Sequence, residues 1–192
     1  FGIVDTLLKD IEIDNKPKDA AALLAAMTFD GVDGGGGMTS NFLACLLSNQ
    51  DAMNALRADR SLIPSAWIEA TRVAPAILGL FRCPIEDIQY EDVRFPVGTN
   101  ILMLNAAGNR DPAVFTCPDL YDIRRQERQP LSFGGGGRAC VGRMLAKIQG
   151  EIAFQVLLDN VQSIELVGEL ADWGPPGLIR TIKKVPVRLA PF

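Results

Sequence analysis

The sequence predicts a mainly helical α+β protein, and three observations carry that prediction. An Ala- and Leu-rich stretch runs from Asp19 to Leu47. A second helical stretch, Val141 to Leu158, carries Leu145, Ile148, Ile152 and Val156 on one face. Clusters rich in β-branched and apolar residues follow Pro84 and again occupy Ile164 to Leu189. The 192 residues are 48% hydrophobic and 22% charged, an ordinary globular composition. A chain of this length buries roughly 70% of the surface it exposes when unfolded, so a single domain over residues 1–192 is expected without disulfide staples.

Each element has a local reason. Gly34, Gly35, Gly36 and Gly37 interrupt the first helical stretch and cost about 1 kcal/mol apiece relative to alanine. Either something approaches that backbone closely or the helix breaks. Ser48 and Asn49 can cap a short helix ending near Asp59, and Ser61-Leu62-Ile63-Pro64 opens another that runs through Ala74 and stops at Pro75. After Pro84, Ile85, Ile88, Val93 and Phe95 lead to Pro96-Val97-Gly98-Thr99 and then to Ile101–Leu104, a pattern of strands around a turn in one small sheet. Residues 105–139 show little periodicity, and irregular connections of that length are usually functional. The last β-rich stretch is broken at Gly174-Pro175-Pro176-Gly177.

Composition excludes much chemistry. The chain contains no histidine, so Ser-His-Asp and Cys-His machinery, His-bearing zinc sites and His-ligated haem are ruled out. A net charge of -4 argues against nucleic acid as a partner. Cys45, Cys83, Cys117 and Cys140 have no paired spacing, which disfavours a disulfide framework and fits a reducing cytoplasm. The longest nearly apolar run, Ala20–Phe29, is half of what a bilayer span needs, and Phe1 is not followed by a basic region and cleavage site. A cytoplasmic protein with no membrane span is expected.

The densest chemical signal is Phe133-Gly134-Gly135-Gly136-Gly137-Arg138-Ala139-Cys140-Val141-Gly142. It delivers one cysteine to the mouth of a helix, where backbone amides and the macrodipole favour a thiolate, the form that binds metal. Glycines before it permit positive φ and let a flat ligand lie against the main chain. A buried cysteine beside a flexible turn is the plainer alternative. A phosphate loop would need a Gly-Lys-Ser/Thr ending, which is absent.

The spelling Phe-x-x-Gly-x-Arg-x-Cys-x-Gly, present without a gap from Phe133 to Gly142, resembles the haem-binding loop of the cytochromes P450. The resemblance implies haem b with Cys140 as axial thiolate on iron, Phe133 shielding the sulfur, Gly134 and Gly142 against the macrocycle, and Arg138 pairing with a propionate. Arg82 matches the position that usually meets the other propionate. Glu69 and Arg72, three residues apart on one helical face, resemble the family's Glu-x-x-Arg ion pair, which holds the irregular segment and hence the thiolate loop. Asn109-Arg110-Asp111-Pro112 follows in the family's order. Leu120 stands where a third charge of that network, an arginine, is expected. The network should therefore be one charge short unless Arg124 or Arg125 substitutes.

Two departures bear on function. Aligning Thr39-Ser40-Asn41-Phe42-Leu43 with the family's distal helix puts Gly37 and Met38 where an acid and an alcohol normally relay protons. Protons would then come from Thr39, which a shifted register would bring into place, or from Ser40, Asp33, a substrate hydroxyl or ordered water. In addition, Phe1–Leu8 looks like a segment just before that helix, so the resemblance covers the C-terminal half of a P450 fold. The first function it implies is a haem-thiolate monooxygenase that inserts one oxygen atom from dioxygen into a small organic substrate. Electrons would come from an acidic ferredoxin or a flavin reductase docked near Arg124, Arg125, Arg128, Arg138, Arg143 and Lys147. The missing relay favours an alternative, peroxide use or rearrangement of an oxygenated substrate. A shortened, non-catalytic haem-binding or interaction module is the third. Cys45, Cys83 and Cys117 read as structural thiols, and Trp67 and Trp173 as core packing.

Overall fold

The computed structural model describes residues 17–192 apart from 128, 171, 172, 175 and 176, with no account of the side chains of 17–20. Phe1–Leu8, Arg128 and Pro175-Pro176 thus lie outside the described residues. Helix α1 (Pro17–Phe29) passes into a π-helical segment (Asp30–Gly36) and then into α2 (Gly37–Leu47). The glycine run therefore does not break the helix. It loosens it, because a π segment carries an extra residue in its turn and such segments recur at functional positions. Close approach accounts for part of the run: a Cβ at Gly37 would collide with the Thr181 side chain, and one at Gly35 would sit 3.5 Å from Gln149 Oε1.

The predicted caps are present. Asn49 Oδ1 accepts from the Ala52 amide at 3.0 Å to start α3 (Gln50–Ala58), and Asp59 Oδ1 accepts from the Ser61 amide at 2.9 Å in the short turn leading to α4 (Ile63–Val73). The strands differ from expectation. Instead of one sheet, β1 (Leu80–Arg82) pairs antiparallel with β4 (Ile101–Met103), while β2 (Ile88–Tyr90) and β3 (Val93–Phe95) form their own hairpin. The Pro96–Thr99 turn closes through Thr99 N to Pro96 O at 3.1 Å, with Gly98 at φ +82, but joins strands of different sheets. Beyond it lie the short helix α5 (Asn105–Gly108), the irregular segment, then α6 (Arg143–Asn160), and finally β5 (Val161–Leu166) paired with β6 (Val187–Pro191).

The core lies among α2, α3, α4 and α6, with Phe42, Leu46, Leu56, Ile63, Ala66, Trp67 and Leu158 almost fully buried. Phe42 meets Phe154 with ring centroids 4.7 Å apart. Helix α6 faces the opposite way from what its apolar row implies. Gly150, Phe154 and Leu158 point inward, whereas Leu145, Ile148, Ile152 and Val156 are exposed. The reason is Gly150, whose missing side chain lets the Trp67 indole lie against the α6 backbone; a Cβ there would collide with Trp67 Nε1. Gly150→Ala is expected to destabilise the protein by about 1–3 kcal/mol, the usual cost of overpacking, because Trp67 also stacks on Phe133 at 5.5 Å and cannot retreat without moving that ring. Urea denaturation would measure it. Among the described residues, no helix is long and apolar enough to cross a membrane.

Candidate functional site

The irregular segment ends in a loop that only this sequence pattern allows. A 3₁₀ turn over Leu131–Phe133 is followed by Gly134 at φ +66, and a second turn over Gly136–Arg138 opens with Gly136 at φ +61. Both angles are costly for any residue with a Cβ. The loop closes through Cys140 N to Phe133 O at 2.8 Å, and Ala139 N to Gly136 O at 3.2 Å. Cys140 lies three residues ahead of α6 with its thiol exposed. A Cβ on Gly142 would come 3.7 Å from Cys140 Sγ, and Cβ atoms on Gly135, Gly136 and Gly137 would meet nothing within 4 Å. Phe133, Gly134, Arg138, Cys140 and Gly142 are thus gathered in one loop around an accessible sulfur.

The loop is anchored to a buried ion-pair network. Arg72 Nε and Nη2 donate to the two carboxylate oxygens of Glu69 at 2.8 and 2.7 Å, with the side chains 1% and 4% exposed. Arg125 Nε donates to Glu69 Oε1 at 3.0 Å, and the Asp122 amide donates to the same oxygen at 3.0 Å. Of the two outcomes the sequence leaves open, substitution from nearby holds: Arg125, and not a residue at position 120, supplies the third charge. Leu120 contributes instead its carbonyl, which accepts from Arg72 Nη2 at 2.8 Å. Glu127 holds Arg125 from outside at 2.7 Å, and hydrogen bonding to Thr116, then to that guanidinium, keeps the Glu127 carboxyl below its ordinary range.

From Arg72 the network reaches the thiolate loop through Asn109. Arg72 Nη1 donates to Asn109 O at 2.9 Å, Asn109 Oδ1 accepts from the Leu131 amide at 2.6 Å, and Asn109 Nδ2 donates to Ser132 Oγ at 2.8 Å. Ser132 Oγ in turn donates to Thr71 O at 2.5 Å. Asn109 is fully buried and satisfied at both ends of its amide. Its positioning role, like that of Ser132, was not read from sequence. A buried asparagine ahead of Arg-Asp-Pro was the available signal.

The distal residues separate. Gly37 is closed off by Thr181, and Met38 is 4% exposed within the core. Thr39 is partly exposed, and its hydroxyl donates to Gly35 O at 3.0 Å, across the junction with the π segment. The C-terminal segment is pinned over this junction by Asn41, whose Nδ2 donates to Ala74 O at 2.9 Å and Arg180 O at 3.0 Å while its Oδ1 accepts from the Ile182 amide at 2.9 Å. Arg82 is exposed on β1, and among the described residues its side chain donates only to Phe81 O, at 2.8 Å, with no hydrogen bond or ion pair to the cysteine loop. The Arg138 guanidinium has no hydrogen-bond or ion-pair partner among the described residues. An exposed thiol, a side-chain-free backbone around it and two guanidiniums without a carboxylate partner fit a flat macrocycle that carries acidic groups and an iron ion seeking a soft ligand.

Cys45 behaves differently from the loop cysteine. Loss of surrounding water, then the Glu69 charge, pushes its thiol up from 9.0 to about 12. Tyr121, whose hydroxyl donates to Ala66 O at 2.9 Å, is raised too, chiefly by burial. The folded protein keeps the Cys45 proton that the unfolded chain releases, so this contribution to stability is complete below pH 9.0 and is lost as pH rises toward about 12. Cys45→Ala is expected to flatten the fall in unfolding free energy measured between pH 8 and pH 10.

The cytochrome P450 family profile matches residues 5–168. A curated relative, the biotin biosynthesis cytochrome P450 of Bacillus subtilis (strain 168), is 31% identical over 186 residues, which is 96% of this chain and 47% of that protein. Cytochrome P450 monooxygenase PikC of Streptomyces venezuelae is 34% identical over 155 residues, 79% of this chain and 37% of its own length. Among solved structures, the ligand-free P450 monooxygenase TamI superposes with a TM-score of 0.86 at 31% identity, covering 96% of this chain and 46% of that one. The fold is a partial P450 architecture. The chain belongs to the cytochrome P450 family. It spans about half the length of the relatives it matches or less. Members of this family bind haem b, and the family includes monooxygenases.

Proposed function

We propose that this chain provides the thiolate side of a haem b monooxygenase that inserts one oxygen atom from dioxygen into a small organic substrate. The observation that carries the reading is the exposed Cys140 sulfur in a glycine-framed loop tied to α4 by Phe133 and Asn109. Cys140 would ligate the iron. Among the described residues no group of three or more Cys, Asp or Glu side chains gathers to hold a metal ion, so one sulfur on an iron carried by a macrocycle suits this donor set. Arg138 and Arg82 would take the propionates, and Gly134 and Gly142 would let the ring approach the main chain. When bound, a thiolate-ligated haem supplies oxygen activation through the electron density that sulfur pushes onto iron. Electrons would come from an acidic ferredoxin or flavin reductase, with the exposed cations beside the loop steering the encounter.

The chain's own proton chemistry falls to Thr39. With Gly37 lacking a side chain and Met38 in the core, Thr39 carries a partly exposed hydroxyl held against the π segment by its bond to Gly35 O, with the Ser40 hydroxyl beside it on Gly36 O. The lack of an acid at position 37, with Asp33 exposed four residues earlier, favours peroxide use as a second reading. Turnover separates the two: with dioxygen and a reductase, the protein as its cells make it should yield product, and Thr39→Val should lower product formed per dioxygen consumed, with more hydrogen peroxide released. Product from hydrogen peroxide alone, unaffected by Thr39→Val, would select the second reading. Stable haem with neither activity would overturn both.

A further inference from the structure

We propose that Thr181 is a catalytic residue of the oxygenase reading above, on which this inference rests: its hydroxyl, set beside Gly37, donates a proton to the reacting oxygen. Residues 37 and 181 are built as a pair. A Cβ on Gly37 would collide with Thr181 Cγ2 and Cβ and would lie 3.5 Å from its Oγ1. The side chain that stands at this point of α2 therefore comes from position 181 and not from position 37. Asn41, one turn further along α2, fixes that placement from both flanks of Thr181. Its Nδ2 donates to Arg180 O at 3.0 Å, and the Ile182 amide donates to its Oδ1 at 2.9 Å. The threonine is thereby held against the helix.

Chemistry singles out this hydroxyl. Thr181 is 4% exposed, yet its Oγ1 forms no hydrogen bond among the described residues. A buried polar group is ordinarily hydrogen-bonded, and one that is not points to a water or ligand beyond the chain itself. The neighbouring hydroxyls are committed: Thr39 Oγ1 donates to Gly35 O at 3.0 Å and Ser40 Oγ to Gly36 O at 3.2 Å. Thr39 and Thr181 thus divide the work, the first with an oxygen left to accept and the second with a proton left to donate. The place suits the role. Gly35 packs against Gln149 of α6, the helix that Cys140 leads into, so Thr181 sits at the end of α2 that meets the helix of the cysteine loop. Inserting one atom of dioxygen while reducing the other to water consumes two electrons, from the reductase, and two protons. Thr181 Oγ1 gives its proton to the reacting oxygen as it takes one from water, and ends each transfer unchanged.

Thr181→Val, which keeps the branched shape and removes the hydroxyl, tests this in the haem-loaded protein as its cells make it. Product formed per dioxygen consumed should fall about tenfold or more, with hydrogen peroxide released instead, while the melting temperature stays at or above that of the parent. Thr181→Ser should recover most of the lost yield. A readout without turnover comes from the reduced carbon monoxide complex, whose C–O stretch is lowered by a donated hydrogen bond. That stretch should move to higher frequency in Thr181→Val and stay in place in Thr181→Ser. The pairing with position 37 is tested on its own: Gly37→Ala should lower the melting temperature of the parent and not that of Thr181→Gly. An unmoved yield or an unmoved stretch in Thr181→Val, an equal loss in Thr181→Ser, or a Gly37→Ala effect that persists in Thr181→Gly would each overturn the proposal. A parent that lacks the red-shifted Soret band, or forms no product from dioxygen, overturns the oxygenase reading and Thr181's role with it. In a parent that shows both, failure of these variants overturns the role of Thr181 alone.

Discussion

Replacing Glu69 by Gln is expected to cost roughly 3–5 kcal/mol, the penalty for breaking a buried ion pair from one side, a large share of the 5–15 kcal/mol that stabilises a typical domain. The carboxylate accepts from Arg72 Nε and Nη2, Arg125 Nε and the Asp122 amide at 2.7 to 3.0 Å. Arg72 is 1% exposed, so its charge has no water to turn to once the carboxylate is neutral. Because Arg72 also holds Asn109, and Asn109 holds Leu131 and Ser132, the variant should loosen the 131–142 loop before the protein unfolds globally. Urea denaturation would give the stability loss, and hydrogen exchange at the Leu131 and Cys140 amides would show the local opening. Glu127→Gln removes the outer carboxylate of the same network, where water can replace it, and should cost far less. A loss below about 1 kcal/mol for Glu69→Gln, the range of an exposed pair, would mean that the network does not hold the loop.

This network shows how much could be read in advance. Glu69 and Arg72 were legible because their spacing is helical, and an i, i+3 pair on one face needs no knowledge of the rest of the chain. Arg125 was legible only as one of two candidates beside Arg124, because no periodicity governs residues 105–139 and its distance from Glu69 is set by how the segment folds back. The resemblance directed attention to Leu120, yet in that loop Leu120 presents its carbonyl while the guanidinium arrives five residues later. The same limit applies to α6. Periodicity located a row of about one apolar residue per turn but could not say which face turns inward, since the decisive contact is made by Gly150, a residue without a side chain, against Trp67 in another helix. The glycine run of the first helix illustrates a third limit. Sequence offered a break or a close approach, and the backbone took both in milder form, a π segment that stays helical and one collision point at Thr181. By contrast, the positive φ of the glycine run and the delivery of Cys140 to the mouth of α6 were legible, because both are local properties of the loop.

Cys140→Ser is expected to abolish thiolate ligation completely while leaving the fold intact. Cys140 is exposed, and its sulfur makes no hydrogen bond among the described residues; the loop closes through the Cys140 amide, which serine retains at the same place. The urea midpoint of the variant should therefore match that of the parent. What changes is the donor. A serine hydroxyl remains protonated near neutral pH and cannot push electron density onto iron as a thiolate does. With the protein purified as the cell makes it, loaded with haem, reduced and exposed to carbon monoxide, the parent should show the red-shifted Soret band of thiolate ligation, and Cys140→Ser should not. Cys83→Ser and Cys117→Ser test the assignment from the other side, because both thiols are also exposed yet stand outside the glycine loop. Each should keep the shifted band. If the band survives in Cys140→Ser, or disappears with either of the other two, iron is held elsewhere and the glycine loop has some other purpose.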